Sequence, residues 1–392
     1  MKTFVLGLLC CTAMTSLKAQ PAVKRRGPVS NWVASFMTEG ASATSFRHFI
    51  LLPDGTLETI KPGENPQPFP GMDHVAAISA GTFHMLALKE DGTVWAWGRN
   101  DEKELGNEKL AKNHTNSAVP VQVTGITNAV AVSATGQNSY ALLKDGTVWA
   151  WGNATRGRTG DNGTLTSSLM NYARALPVKV YGIINAISIA GAMALLADGT
   201  VMTWGEGYWG QLGNGSNEPS TVPVNVKGLS NVAAIAGRDQ GGMALKKDGT
   251  VWVWGNNEKG QLGRKPVNDH DQSNVPVQVP GITQATAIDA GAVCMALIAD
   301  GTVRVWGWGA VGGMGLGRPG TNDVNPLPLK VPSVDRTVAI KSGNGYALAL
   351  QADGTLLGWG ANMVSSGVYH QTWTPVKIAH VDIGAEEKKA VR

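Results

Sequence analysis

Cysteine is nearly absent. The chain has three in 392 residues, and two of them, Cys10 and Cys11, fall near its start. If that segment is a leader, only Cys294 remains, so internal disulfides cannot hold the fold even in a compartment that permits them. Cys294 is then expected to be a small buried hydrophobe. Charge is scarce as well: Asp, Glu, Lys and Arg supply 16% of the chain, against roughly 25% in ordinary soluble proteins. The formal net charge is +4, or +2 once Lys2 and Lys18 are set aside. So even a balance gives no long-range pull on nucleic acid or an anionic membrane, and neither is expected as a partner. The apolar run from Phe4 to Ala13 is too short for a span of about 20 residues and is followed by Thr15, Ser16 and Lys18. It has the length of a signal-peptide core, and Ala19 offers a small residue at the cut. Residues 1–19 therefore read as a cleaved leader and 20–29 as a flexible segment, with no transmembrane segment in the mature chain, which is expected to be secreted, periplasmic or extracellular.

Catalytic signatures are missing too. There is no Gly-x-Ser-x-Gly elbow, no phosphate-loop Gly-Lys-Ser/Thr and no His-Glu-x-x-His. The stretches from Gly205 to Gly210 and from Gly307 to Gly312 satisfy Gly-x-Gly-x-x-Gly as strings. Neither is expected to open a helix, so neither reads as a phosphate cradle. No enzyme, cofactor or metal is expected.

Glycine, by contrast, is abundant at 50 residues, and much of it belongs to one repeated unit. Asp-Gly-Thr occurs seven times, starting at Asp54, Asp91, Asp145, Asp198, Asp248, Asp300 and Asp353, and six of the seven run on into Trp-Gly. The starts lie 37, 54, 53, 50, 52 and 53 residues apart, a spacing typical of propeller blades. In the best copy, alternating runs flank Asp91-Gly92, which places a β-hairpin tip there. Each such turn offers a single carboxylate without the spacing of a calcium loop. Trp95 and Trp97, Trp149 and Trp151, and Trp252 and Trp254 are each two apart, so each pair shares one face of its strand and can fill the wedge between blades.

The first unit has its hairpin, Phe46 to Ile60, but no Ala-Gly strand ahead of it, while the last ends in Val381-Asp-Ile-Gly384 with no hairpin after it. Pairing the C-terminal strand with the N-terminal one would complete a seventh blade and leave no open edge. The expectation is an all-β, seven-bladed β-propeller over 30–385, closed by that shared sheet, with 386–392 as a short tail.

The order Ala-Gly, Ala-Leu-x-x-Asp-Gly-Thr-Val-x-x-Trp-Gly, Gln-Leu-Gly and Val-Pro-x-x-Val resembles the repeat of the regulator of chromosome condensation family, the RCC1-like repeats. Gln211-Leu-Gly213 and Gln261-Leu-Gly263 match closely and Glu104-Leu-Gly106 nearly so. The resemblance implies the seven-bladed propeller, and with the leader it points to a secreted bacterial member. His84 occupies a family histidine position and reads as a structural hydrogen-bonding residue.

The segments between each Trp-Gly and the next Pro-containing strand differ most among the repeats, and function usually lives in such loops. They carry Arg99, Arg156, Arg158, Tyr172, Tyr208, Trp209, Trp308, Tyr369 and Trp373 outside the repeat frame. Tyr, Trp and Arg dominate binding energy at protein interfaces. These nine are the candidate partner-binding residues of a monomeric, non-catalytic module that grips a protein across one face. The alternative is a polysaccharide partner or substrate, with Trp209, Trp308 and Trp373 stacking on sugar rings; hydrolysis would demand two carboxylates, and the loops contain Glu102, Glu104, Asp161, Glu206, Asp269, Asp271 and Asp323.

Overall fold

Four antiparallel strands form from each repeat, and the Asp-Gly-Thr turn joins the second to the third. The computed structural model describes residues 33–37, 46–52, 54–60, 67–112, 115–163, 172–238, 240–309, 312–318, 324–343, 345–365 and 368–382. The expected leader, the segment 20–29 and the tail 386–392 lie outside the described residues. Seven four-stranded sheets follow one another along the chain, each made of consecutive strands. They are the blades of a propeller: blade 1 spans 33–68, blade 2 75–122, blade 3 129–179, blade 4 186–225, blade 5 232–278, blade 6 285–330 and blade 7 337–382. Blade 2 shows the pattern, running outward from Val75–Ala80 through His84–Lys89 and Val94–Gly98 to Ser117–Gln122.

The repeated residues act at two places. In all seven turns the Asp side chain accepts the backbone N–H of the Thr two positions on, at 2.8–2.9 Å. The glycine between them has φ of +78° to +87°, a conformation that a side chain resists. The Trp of Trp-Gly is the second device. Trp151, Trp254 and Trp306 are fully buried, and each indole N–H donates to a backbone carbonyl of the preceding blade: Trp151 to Glu104 at 2.7 Å, Trp254 to Gln211 at 2.9 Å and Trp306 to Gln261 at 3.1 Å. The Gln-Leu-Gly motif thus presents the acceptor for the next blade's tryptophan. Trp204 and Trp359 do the same with Arg158 and Gly313, at 3.2 and 2.9 Å.

Seven hydrophobic clusters each join two neighbouring blades. The ring closes where Ile50 and Leu52 of blade 1 pack against Leu348, Leu356 and Ile378 of blade 7. The expected mode of closure is therefore corrected, although the blade count stands. Val33–Met37 pairs with Phe46–Leu51 and fills the inner position of blade 1, while Asp382 pairs with Thr355 inside blade 7. Residues ahead of the first hairpin supply a strand that does not carry the Ala-Gly signature, so each end completes its own sheet and side-chain packing seals the ring.

Candidate functional site on the loop face

Alternation of strand direction divides the ring into two faces. The Asp-Gly-Thr turns share one with the connections between blades, as when Lys144 N donates to Asn128 O at 3.0 Å. The turns between the first and second strands share the other with the long loops between the third and fourth, as when Arg99 N donates to Phe83 O at 2.9 Å. All the sequence-selected loops belong to this second, loop face.

Five of the nine candidates gather around blades 3 to 6. Glu206 accepts from Arg156 at 2.8 Å and from Arg158 at 2.9 Å, which ties the loops of blades 3 and 4 together. The Arg156 guanidinium lies over the Tyr208 ring at 5.0 Å, and Tyr208 is 48% exposed. Trp209 faces His270 of blade 5 with ring centres 6.3 Å apart. Trp308, 37% exposed, stands at the loop-face mouth of the central channel, a space of about 1130 Å³ walled by the inner strands. Beside that mouth lies a recess of about 430 Å³ lined by Arg158, Trp204, Glu206, Gln211, Arg238 and Gln240.

The other candidates lie apart from this cluster. Arg99 pairs with Asp101 at 2.6 Å and covers Phe83, which touches the far wall of the recess. Tyr172 lies beneath Arg174, itself held by Asp161 at 2.6 Å. Trp373 of blade 7 stands against Gly312, where an added Cβ would come within 3.3 Å of the indole. The side chain of Tyr369 lies outside the described residues. Arg238 was missed by sequence reasoning, because it ends the inner strand of blade 5, Val232–Arg238, where the repeat frame masks it. Its signal is a charged residue directly after the Ala236-Gly237 pair.

Most loop carboxylates are engaged. Asp271 is nearly buried, and Arg264 reaches it with both guanidinium ends, one at 2.8 Å, while Asn257 donates at 2.6 Å. Burial works against the Asp271 carboxylate, but these bonds outweigh it and hold the group below the ordinary carboxylate range. Glu104 is different. It takes the place of Gln211 and Gln261 in the motif, and its Oε2 accepts Glu102 N at 2.9 Å, as Gln211 Oε1 accepts Trp209 N at 2.8 Å. Burial raises its carboxyl to about 7. Close by, His84 is fully buried, with Nε2 2.8 Å from Ser139 Oγ, which donates to Glu104 O. Burial drives the imidazole down to about 3, which suits the structural part expected of it. Cys294 is buried as expected. Among the described residues no group of three His, Cys, Asp or Glu is placed to hold a metal, and no helix is long and apolar enough to cross a membrane.

Seven such blades, built on one repeated frame with divergent loops on one face, define a repeat-built β-propeller. The family model described as the RCC1-like domain matches residues 52–334, and the chain belongs to that family. It is 27% identical over 279 residues to the human E3 ubiquitin-protein ligase HERC2, matching 70% of this chain but only 6% of that protein's length. It is 26% identical to the Arabidopsis thaliana ultraviolet-B receptor UVR8, over 79% of this chain and 70% of the receptor. Among solved structures, Saccharomyces cerevisiae Prp20p is similar in fold, with a TM-score of 0.68 and 22% identity over 90% of this chain and 88% of that one.

Proposed function

We propose that this chain is an exported, non-catalytic binding protein that holds a protein partner across the loop face of its ring, centred on blades 3 to 5. The observation that carries the reading is the joint placement of Arg156, Arg158, Tyr208 and Trp209 beside an open recess and channel mouth. Aromatic and Arg side chains around a pocket, braced by their own ion pairs, are the arrangement that supplies hot spots with little ordering cost on binding. Prp20p, which has this fold, is described as binding Gsp1p and histones, in keeping with a propeller used as a protein-binding platform. No observation favours the polysaccharide alternative: Trp209, Trp308 and Trp373 stand on blades 4, 6 and 7, while Asp161, Glu206 and Asp271 are tied to arginines.

Export rests on the apolar run from Phe4 to Ala13, and N-terminal sequencing of the mature chain tests it, since an intact Met1 rules out cleavage. The binding reading is tested with a partner purified by affinity capture and then titrated against single alanine variants. Tyr208→Ala and Trp209→Ala are each expected to weaken binding about tenfold or more. Unchanged affinity in both would remove the proposal.

A further inference from the structure

The outer strand of each blade has an edge with no strand beyond it. Every one of these strands carries a proline, from Pro68 in blade 1 to Pro375 in blade 7. Proline withholds a backbone donor, so an incoming strand cannot complete its ladder there. Blade 7 outgrows this guard. Its outer strand, Val368–Asp382, has 15 residues where the others have two to seven. Its third strand, Thr355–Ser365, has 11 where the others have four to six.

The surplus forms a two-stranded ribbon on the loop face. Met363 pairs with His370, Val364 with Tyr369 and Ser365 with Val368, and a register shift sets these pairs off from the pair of Gly360 with Thr372. The second strand of the blade begins at Tyr346, opposite Gly360, and Ala361 N donates to Gly345 O at 2.8 Å. Among the described residues no strand pairs with the ribbon beyond that point on either side. Pro375 lies behind it, next to Val376, which pairs with Gly358 inside the blade. The second common guard of a strand edge, charge, is missing as well, because 354–376 contains no Asp, Glu, Lys or Arg.

We propose that this ribbon pairs edge to edge, antiparallel and through 368–372, with the same ribbon of a second copy of the chain, making a twofold dimer joined by a four-stranded sheet. Two observations choose this occupant. A two-stranded ribbon is marginal in water, and a sheet needs three or more strands to stand on its own, so a second ribbon supplies more than a lone strand would. An edge that meets itself about a twofold axis brings each residue close to the identical segment, so charges along it would repel, and this segment has none of the four charged types. Val368 and Tyr369 are also strong strand formers. The dimer replaces the expected monomer and does not depend on the reading of the loops of blades 3 to 5.

Sedimentation velocity of the full chain over a dilution series tests this at pH 8, where histidine is ordinarily neutral. The parent chain is expected to sediment as a dimer at the concentrated end and as a monomer at the dilute end, with the amides of 368–372 exchanging hydrogen more slowly in the concentrated sample. Replacing 362–370 by Asn-Gly removes the ribbon and should give a monomer throughout, with the melting temperature of the dilute parent. Gln371→Lys, a single change at an exposed position of the same edge, should raise the dissociation constant about tenfold or more, and Gln371→Thr should leave it in place. A parent chain that is monomeric at every concentration, or a dimer that survives both the shortened ribbon and Gln371→Lys, would overturn the inference. Slower exchange at 368–372 only once the protein partner is added would overturn it too, and would give the edge to a strand of that partner.

Discussion

The two faces of the ring are built on opposite principles. On the turn face, seven Asp-Gly-Thr turns close with the same bond at 2.8–2.9 Å. On the loop face each fastening is different: Arg99 with Asp101 in blade 2, Arg174 with Asp161 in blade 3, Arg264 with Asp271 in blade 5, and the pair Arg156 and Arg158 reaching across to Glu206 in blade 4. The frame needs identical turns to repeat the blade, and it asks of the loops only an acceptor carbonyl for the next tryptophan. The rest of each loop is free to specify a surface.

The largest expected difference is between tryptophans of the frame and those of the loops. Replacing Trp254, fully buried and bonded to Gln211 O, by Ala should cost about 3–5 kcal/mol in urea unfolding. Trp209→Ala should change stability by less than about 1 kcal/mol, as surface substitutions do. Equal losses would erase the distinction.

Next in size is Glu104, where the loop departs from its own frame. Its carboxyl stands near 7 in the fold and near 4.5 in the unfolded chain, so the folded state favours the neutral acid. Stability from this group is full below pH 4.5 and is lost as pH rises toward 7. Glu104→Gln restores the residue of blades 4 and 5 and should stabilise the protein at pH 8 by about 1–3 kcal/mol. His84 works in the other direction. Its folded pKa of about 3 lies below the ordinary 6.5, so its contribution is full above pH 6.5 and lost as pH falls, by about 1.4 kcal/mol per unit. Between pH 4.5 and 6.5 the two slopes oppose one another, and Glu104→Gln should expose the acid sensitivity of His84 in a pH series of melting curves. A pH profile identical to that of the parent chain would contradict the assignment of Glu104.

A smaller effect on stability is expected from Arg158→Ala. Arg156 keeps its bond to Glu206, and the partly exposed pair should account for about 0.5–1 kcal/mol. The same change should weaken partner binding by about tenfold. The smallest effect is expected from Asp248→Ala on the turn face, a slight fall in melting temperature with partner binding unchanged.

Much of the fold was legible because its devices recur. Seven Asp-Gly-Thr turns, paired tryptophans and Gln-Leu-Gly mark the blades, and chain length between them sets the loops. Closure was misread because Val33–Met37 has no Ala-Gly pair to announce it, and strand pairing is decided by partners that a sequence does not display. The candidate site was legible only as a set of loop residues. Which of them meet depends on neighbouring blades: Arg156 and Glu206 are 50 residues apart in sequence and 2.8 Å apart in space. Arg238 stayed hidden because the inner strand that it ends belongs to the frame. Tyr181 and Ile184, 57% and 62% exposed on the connection between blades 3 and 4, were passed over for the same reason, and they give the turn face its own apolar pair.

That pair makes the decisive control. With one purified partner, the dissociation constant is measured for the parent chain, for Tyr208→Ala with Trp209→Ala on the loop face, and for Tyr181→Ala with Ile184→Ala on the turn face. Binding through the loop face predicts a loss of about tenfold or more in the first pair and a change of less than about twofold in the second. The opposite pattern, intact binding without the loop aromatics and loss of binding without Tyr181 and Ile184, would contradict it.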